Sequence, residues 1–159
     1  MKIRVGFGYD VHQLKVGEDF WLGGIKIEHD KGAVGHSDAD VLIHVICDAL
    51  LGAANKRDIG YHFSDTDPKF KGIDSKILLA ETLAIIRKNG WKVENIDSTI
   101  CLQRPRINPF IPSMKTCLAE VMEISADDIS IKATTTEKLG FVGREEGVSA
   151  YAVVLISKE

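Results

Sequence analysis

Two short stretches of the chain combine aspartate and histidine in a spacing that could bind a metal ion. Asp10 and His12 are separated by one residue in the apolar, β-branched stretch RVGFGYDVHQL. On a strand, residues i and i+2 project from the same face about 6.5 Å apart and can converge on one ion. Taken alone, the pair is more often structural: Asp10 could end the strand and His12 could be a surface imidazole.

A helical pattern supplies a third candidate ligand. In HSDADVLIHVICDALLG, Asp40, His44 and Asp48 recur at every fourth position beside an apolar face. A solvated stripe usually carries Lys and Glu, and this one carries neither. The spacing favours a metal-bound His44 whose second ring nitrogen is held by a carboxylate, with Asp48 as the candidate. Two histidines and one carboxylate leave a coordination position open, as in catalytic zinc sites.

Other motifs are suited to binding phosphate. His36 and Ser37 precede the helix, where exposed amides and the helix dipole favour an anion. The stretch ATTTEKLGF places three threonines and Glu137 at a strand end, which offers hydroxyl donors and a hard oxygen ligand. The alternative is that threonines of high β-propensity simply lead into a helix cap.

Charge indicates how a polyphosphate would be neutralised. The chain has a net charge of −3, and its candidate loops offer only Arg104, Arg106 and Arg144. Three arginines are too few for a diphosphate, so we expect two divalent cations, one of zinc type and one in an oxygen-rich site. The same net charge argues against a nucleic-acid partner.

The bulk properties predict a single domain over residues 1–159. No apolar run reaches the length of a membrane span, and the N-terminus lacks a secretory or transit pattern, so we expect a cytoplasmic protein without a membrane partner. The three cysteines are widely spaced in apolar surroundings, which is typical of reduced core thiols.

The predicted elements describe one mixed α/β layer domain. Strands are predicted over KIRVGFGYDV, WKVENIDSTICLQ, DISIKATTT and GVSAYAVVLIS, with a hairpin-like pair in FWLGGIKIE. Helices are predicted from Asp40 to Ala54, over DSKILLAETLAIIRKNG, and from Pro112 to Met122. The long polar loop NKRDIGYHFSDTDPKFKGID is typical of a functional segment. The last strand is apolar on both faces, which favours burial of one face against another subunit.

Five blocks in order along the chain resemble one known family. They are GYDVH, HSDADVLIH, DALLGAA, DIGYHFSDTDP and KATTTEKLGFVGREEG. Together they resemble the 2-C-methyl-D-erythritol 2,4-cyclodiphosphate synthase family from about Arg4 to Ile156. The resemblance implies an α+β fold, a two-layer sandwich in which helices cover one face of a mixed sheet. It also implies a homotrimer, in which the sheets pack around the trimer axis and the active sites lie between subunits.

The resemblance also implies a reaction. The substrate would be 4-diphosphocytidyl-2-C-methyl-D-erythritol 2-phosphate, whose 2-phosphate attacks the β-phosphorus, closes a cyclic diphosphate and expels CMP. The enzyme would be a zinc-dependent phosphorus–oxygen lyase of the non-mevalonate isoprenoid pathway. No protein base is needed, because a phosphate oxygen is already an anionic nucleophile.

Roles follow from the resemblance for the matching positions. Zinc would be held by Asp10, His12 and His44, and a second ion, Mg²⁺ or Mn²⁺, by Glu137. His36 and Thr135 would stabilise charge at phosphorus. Phe141 and Arg144 would lie near the axial cavity, for which an isoprenoid diphosphate is a candidate ligand. The remaining substrate-binding residues would be Ser37, Asp58, Ile59, Gly60, Phe63, Ser64, Asp65, Thr66 and Asp67 for the methylerythritol phosphate, and Leu102, Gln103, Arg104, Pro105, Arg106, Ile107, Asn108, Thr134 and Thr136 around the cytidine diphosphate.

Three positions depart from the family pattern: Ser64 where proline is expected, Arg106 where lysine is common, and Arg57 in place of a glycine.

Three other functions compete with the synthase. Two histidines and a carboxylate also form the facial triad of non-haem iron oxygenases. A metallophosphatase would release inorganic phosphate instead of CMP. A trimeric binding module with structural zinc would need a fourth protein ligand, such as His36 or Asp38.

Overall fold

The structure is a computed structural model that describes all 159 residues. Three single 3₁₀ turns, at Pro68–Phe70, Asn108–Phe110 and Ala126–Asp128, lie between the main elements. The strands are β1 (Lys2–Val16), β2 (Trp21–Leu22), β3 (Ile25–Lys26), β4 (Lys31–Val34), β5 (Lys92–Cys101), β6 (Ile129–Thr134) and β7 (Gly147–Lys158). The helices are α1 (Val41–Ala53), α2 (Ile59–His62), α3 (Ser75–Lys88), α4 (Ile111–Met122) and α5 (Gly140–Gly143).

The five longer strands form one mixed sheet in the order β4-β1-β7-β5-β6. Only β5 and β6 run parallel, and the other neighbours are antiparallel. β1 extends five residues beyond the predicted Val11, because its second half continues to pair with β7 and also pairs with β4. β2 and β3 form the predicted hairpin, with Gly23 and Gly24 at positive φ in its turn.

The helices lie on one face of the sheet, so the predicted α+β fold of a mixed sheet with helices on one face is confirmed. α1 crosses β1 and β7, α4 lies against β6, and α3 contacts both helices. Most of α1 is buried, including Leu42, Ile46 and Leu50 at 0% exposure. Burial of this apolar face therefore holds α1 against the strand that carries Asp10 and His12.

The predicted helix boundaries agree with the structure to within a residue or two. Asp40 caps α1 by accepting a hydrogen bond from the Ile43 backbone N–H, and Asp74 caps α3 in the same way through Lys76. The polar loop after α1 contains the short helix α2 and a 3₁₀ turn, and neither of these was predicted. No helix combines the length and the hydropathy that a transmembrane segment requires.

The other face of the sheet is an exposed apolar surface. Phe7 and Val5 of β1 are 62% and 65% exposed, and Tyr151 and Val153 of β7 lie beside them. Both faces of the last strand were predicted to be buried. Within one chain, β7 is buried on one face only. We call this surface the open sheet face; its members are Ile3, Val5, Phe7, Tyr9, Val11, Tyr151 and Val153.

Candidate functional site

Three predicted ligands meet between β1 and α1. Oδ2 of Asp10 lies 3.1 Å from Nε2 of His12 and 3.2 Å from Nδ1 of His44. The two histidine nitrogens are 3.0 Å apart. All three side chains are half-buried, and they form a group whose ligand atoms could share one metal ion. The structure thus brings together the residues predicted from two separate motifs.

Strand and helix geometry explain this meeting. Asp10 and His12 face α1 from alternate positions of β1, whose register is set by pairing with Ala150 and Val148 of β7. His44 lies near the start of α1, at the edge of its buried surface. The helix therefore presents one imidazole to the strand face that carries the other two groups.

Electrostatics keeps the carboxylate of Asp10 charged. Burial alone would raise the pKa of this carboxyl, but the neighbouring imidazole groups of His12 and His44 outweigh the burial and hold the pKa well below its usual range. Its other oxygen accepts a hydrogen bond from the Val11 backbone N–H at 2.8 Å. The site thus offers one anionic oxygen and two imidazole nitrogens, a donor set that fits zinc with a free coordination position.

The second ring nitrogen of His44 contacts hydroxyl groups, which corrects the prediction of a carboxylate partner. Nε2 lies 3.0 Å from Oγ of Ser37 and 3.0 Å from Oγ of Ser75. Asp48 instead accepts a hydrogen bond from the Ile59 backbone N–H at 2.7 Å. No spacing in the sequence links Ser75 to His44, because the two residues meet only through packing of α3 on α1.

Asp40 also differs from the predicted polar stripe. It is fully buried and turns away from His44, toward the hairpin turn. Its oxygens accept hydrogen bonds from the backbone N–H groups of Gly23, Gly24 and Ile43. Burial raises the pKa of this carboxyl despite those hydrogen bonds. Asp40 therefore joins the hairpin to α1 and is not a metal ligand.

The metal-ligand group opens into a cavity of about 380 Å³. Several residues predicted to bind the methylerythritol phosphate line it, and so do four apolar or glycine positions that were not predicted. Asp58 caps α2, Ser64 and Thr66 hydrogen-bond each other, and Asp67 caps the following turn, all outside the lining. The lining consists of the three ligands with Gly35, His36, Ser37, Ile59, Gly60, Phe63, Asp65, Phe70, Ile73 and Leu78.

Most of the residues predicted around the cytidine diphosphate line a second cavity of about 200 Å³. Glu137 is exposed and lies just outside this cavity, in a turn where its own φ is 53°. Its backbone N–H donates to Oγ1 of Thr135. Arg104 and Thr136 are also outside the lining, and Arg144 forms an ion pair with Glu146. The lining consists of Leu102, Gln103, Pro105, Arg106, Ile107, Asn108, Ala133, Thr134 and Thr135.

The two cavities are separate within one chain. Asp10 pairs with Ala150, Ala150 pairs with Ile100, and Ile100 pairs with Ala133, so these residues form one row across four strands. Three strand spacings of about 4.8 Å put Asp10 about 14 Å from Ala133. One phosphate group does not span that distance. The predicted residues therefore form two groups, one at the metal ligands and one at the ends of β5 and β6.

A ligand group of this composition that opens into a cavity is typical of metal-dependent enzymes. The YgbB family matches residues 3–157, and the chain therefore belongs to this family. A relative from Phocaeicola vulgatus named 2-C-methyl-D-erythritol 2,4-cyclodiphosphate synthase is 68% identical and is matched over 99% of both chains. The resemblance found in the motifs is thereby confirmed.

Solved structures agree with this assignment. The bifunctional IspDF from Campylobacter jejuni superimposes with a TM-score of 0.96 at 39% identity, over 99% of this chain. This chain covers 43% of that longer protein. The complex of Plasmodium falciparum IspF with CDP superimposes with a TM-score of 0.87 at 33% identity, over 99% of this chain and 97% of the other.

Proposed function

We propose that this chain is a 2-C-methyl-D-erythritol 2,4-cyclodiphosphate synthase that acts on 4-diphosphocytidyl-2-C-methyl-D-erythritol 2-phosphate and releases CMP. The observation that carries the proposal is the Asp10–His12–His44 group at the mouth of a cavity, in a chain 68% identical to a relative of that name. The CDP complex of a structural relative supports a cytidine nucleotide as part of the substrate.

The proposed chemistry is an intramolecular phosphoryl transfer. An oxygen of the 2-phosphate forms a bond to the β-phosphorus while the bond from that phosphorus to the CMP oxygen breaks. Asp10, His12 and His44 would hold zinc, and Glu137 would hold Mg²⁺ or Mn²⁺. The two ions would polarise the phosphate oxygens and neutralise their charge. The chain's remaining task is to position both phosphates and stabilise the charge that develops between them.

Individual side chains suit these tasks. His36 is held beside the cavity that it lines by a hydrogen bond from Nε2 to the Asp67 carbonyl at 3.0 Å, which leaves Nδ1 as the ring nitrogen available to a ligand. Phe63 and Phe70 pack edge to face and give the cavity an apolar wall that excludes water. Exclusion of water matters because hydrolysis at the same phosphorus is the competing reaction.

We also propose a homotrimer with each active site between two subunits. Two observations support this arrangement. The open sheet face leaves seven apolar side chains uncovered, which is typical of an interaction surface. Asp10 at the metal ligands and Ala133 in the cytidine cavity are about 14 Å apart in one chain by strand spacing, so we expect the cytidine cavity of a neighbouring subunit to supply the other half of the site. A cytoplasmic location and an isoprenoid diphosphate in the axial cavity stay predictions.

The decisive experiment incubates the protein with the cytidyl substrate, zinc and magnesium. We expect CMP and cyclic diphosphate in equal amounts, with stoichiometric zinc by metal analysis. Release of inorganic phosphate in place of CMP would identify a metallophosphatase. Stoichiometric iron with oxygen-dependent turnover would identify an oxygenase.

A variant pair tests the metal ligands. His44→Ala should remain folded and lose both bound zinc and CMP release. His29→Ala is the matched control, because His29 pairs with Asp30 outside the metal-ligand group; it should keep both. If His44→Ala unfolds while His29→Ala does not, the metal is structural. If His44→Ala keeps full activity, the ligand assignment is wrong.

A further inference from the structure

The hydroxyl of Ser75 lies between His44 and Asp38. Oγ of Ser75 is 3.0 Å from Nε2 of His44 and hydrogen-bonds Oδ1 of Asp38 on its other side. The backbone N–H of Ser75 donates to Oδ2 of the same carboxylate at 2.9 Å. Ser75 is fully buried, so water does not compete for these hydrogen bonds. The three side chains form a continuous path that ends at a proposed metal ligand.

The direction of each hydrogen bond in this path follows from the number of hydrogens. A serine hydroxyl has one hydrogen, and an ionised carboxylate only accepts. Ser75 therefore donates to Asp38 and accepts from His44. A neutral His44 must then carry its hydrogen on Nε2, and the lone pair of Nδ1 faces Asp10 and His12. This is the tautomer that can bind a metal through Nδ1.

Ser37 offers the opposite arrangement, which the geometry disfavours. Its hydroxyl, 3.0 Å from Nε2 of His44, could donate to a ring whose Nδ1–H donates to Oδ2 of Asp10 at 3.2 Å. In that case Nε2 would face the oxygen of Ser75 at 3.0 Å with no hydrogen between them. With the hydrogen on Nε2, Ser37 and Ser75 both accept, and Ser37 keeps its own hydrogen for a ligand in the cavity.

We propose that Ser75 and Asp38 are positioning residues that hold His44 in the Nε2–H tautomer and so prepare Nδ1 for the metal. The inference rests on the proposed metal site and assigns two residues that no motif predicted for this task. In this tautomer, Nδ1 of His44, Oδ2 of Asp10 and Nε2 of His12 face one another with at most one hydrogen among them. A divalent cation satisfies such a group of acceptors.

The backbone keeps this path in place. The N–H of Asp38 donates to the carbonyl of Ile73 at 3.1 Å, and the N–H of Gly72 donates to the carbonyl of His36 at 2.7 Å. These two hydrogen bonds join the segment before α1 to the segment before α3. The position of Asp38 relative to Ser75 is therefore set by the fold and not by flexible side chains alone.

Nuclear magnetic resonance tests the tautomer directly. Histidine labelled with ¹⁵N in the metal-free protein at about pH 8 gives distinct long-range ¹H–¹⁵N patterns for the two tautomers, and the spectrum of His44→Ala assigns the His44 signals. We expect the Nε2–H pattern in the wild type and a shift toward Nδ1–H in Ser75→Ala and Asp38→Asn. An Nδ1–H pattern in the wild type, or no change in either variant, would overturn the inference.

Zinc affinity, measured by competition with a chromophoric chelator, provides the second test. Ser75→Ala and Asp38→Asn should each bind zinc about 10- to 100-fold more weakly than the wild type and regain kcat at saturating zinc. Asp74→Ala is the matched control, because Asp74 caps the same helix without contacting His44; its Tm should fall while zinc affinity is unchanged.

The outcomes separate the two proposals. A wild type that binds no zinc refutes the proposed metal site. A wild type that binds zinc, together with folded Ser75→Ala and Asp38→Asn proteins of equal zinc affinity, refutes only the positioning role. If Ser75→Ala fails to fold, Asp38→Asn decides, since its side chain is only partly buried and asparagine has nearly the same shape.

Discussion

Gly8 of β1 lies against the backbone of Val45 in α1, so closely that a Cβ at residue 8 would be 2.2 Å from the Val45 carbonyl oxygen. Gly6, two residues earlier, would meet the Ala49 carbonyl oxygen at 1.9 Å. These two glycines allow the helix to lie directly on the strand. The close approach brings His44 within hydrogen-bonding distance of Asp10 and His12.

The first prediction concerns this contact. Gly8→Ala should lower the free energy of unfolding by about 3 kcal/mol and weaken zinc binding, because the added methyl pushes α1 away from β1. Gly52→Ala is the control, because Gly52 lies in α1 and a Cβ at this residue would have no other atom within 4 Å. It should stabilise the protein by about 0.5–1 kcal/mol. Urea denaturation measures both, and equal stability of the two variants would contradict the packing argument.

Asp48 should influence substrate binding without binding metal. Its carboxylate accepts the Ile59 N–H at 2.7 Å and so holds the start of α2, where Ile59 and Gly60 line the larger cavity. Asp48→Ala should raise KM for the cytidyl substrate several-fold and leave zinc affinity unchanged. Asp48→Asn keeps an accepting oxygen and should stay close to the wild type. Steady-state kinetics distinguishes the two, and equal KM values for both variants would count against this role.

The open sheet face should be an interface between subunits. Phe7→Glu places a charge among apolar side chains, so it should convert the trimer to a monomer and abolish CMP release. The monomer should stay folded, because Phe7 is 62% exposed within one chain. Ile77→Glu is the matched control on α3, where the isoleucine is 49% exposed. Light scattering and circular dichroism provide the measurements. A Phe7→Glu protein of unchanged mass would place the interface elsewhere.

The unfolding free energy should depend on pH through the ion pair between Lys132 and Asp97. Nζ of Lys132 lies 2.8 Å from Oδ2 of Asp97 and lowers the pKa of that carboxyl below its ordinary value of 3.8. Because the pKa is lower in the folded state, the contribution is present above about pH 4 and is lost as pH falls through the folded pKa.

Lys132→Met should therefore cost about 0.5 kcal/mol at pH 7, as expected for a partly exposed pair, and less as the solution is acidified below pH 4. Lys115→Met, at a lysine without an ion pair, should show no such change. Urea denaturation at several pH values gives the difference between variant and wild type. A difference that stays constant across this range would rule out the ion pair as its source.

Local patterns in the sequence were enough for several features of the site. Alternation along a strand puts Asp10 and His12 on one face, and the helical period separates His44 from the most deeply buried side chains. Cap residues such as Asp40 and Asp74 mark where helices begin. These features depend on neighbours within a few residues, so spacing alone predicts them.

Tertiary structure decided the partners of each group. The carboxylate of Asp40 binds the backbone N–H groups of Gly23 and Gly24, and that of Asp48 binds the N–H of Ile59, so neither carboxylate hydrogen-bonds the imidazole of His44. Ser75, thirty-one residues from His44, takes the place predicted for a carboxylate. The strand order inserts β7 between β1, which carries Asp10 and His12, and the strands β5 and β6, whose ends carry the second group of site residues. Long-range packing and strand order are not encoded in local spacing, because they minimise the free energy of the whole chain rather than of any one segment.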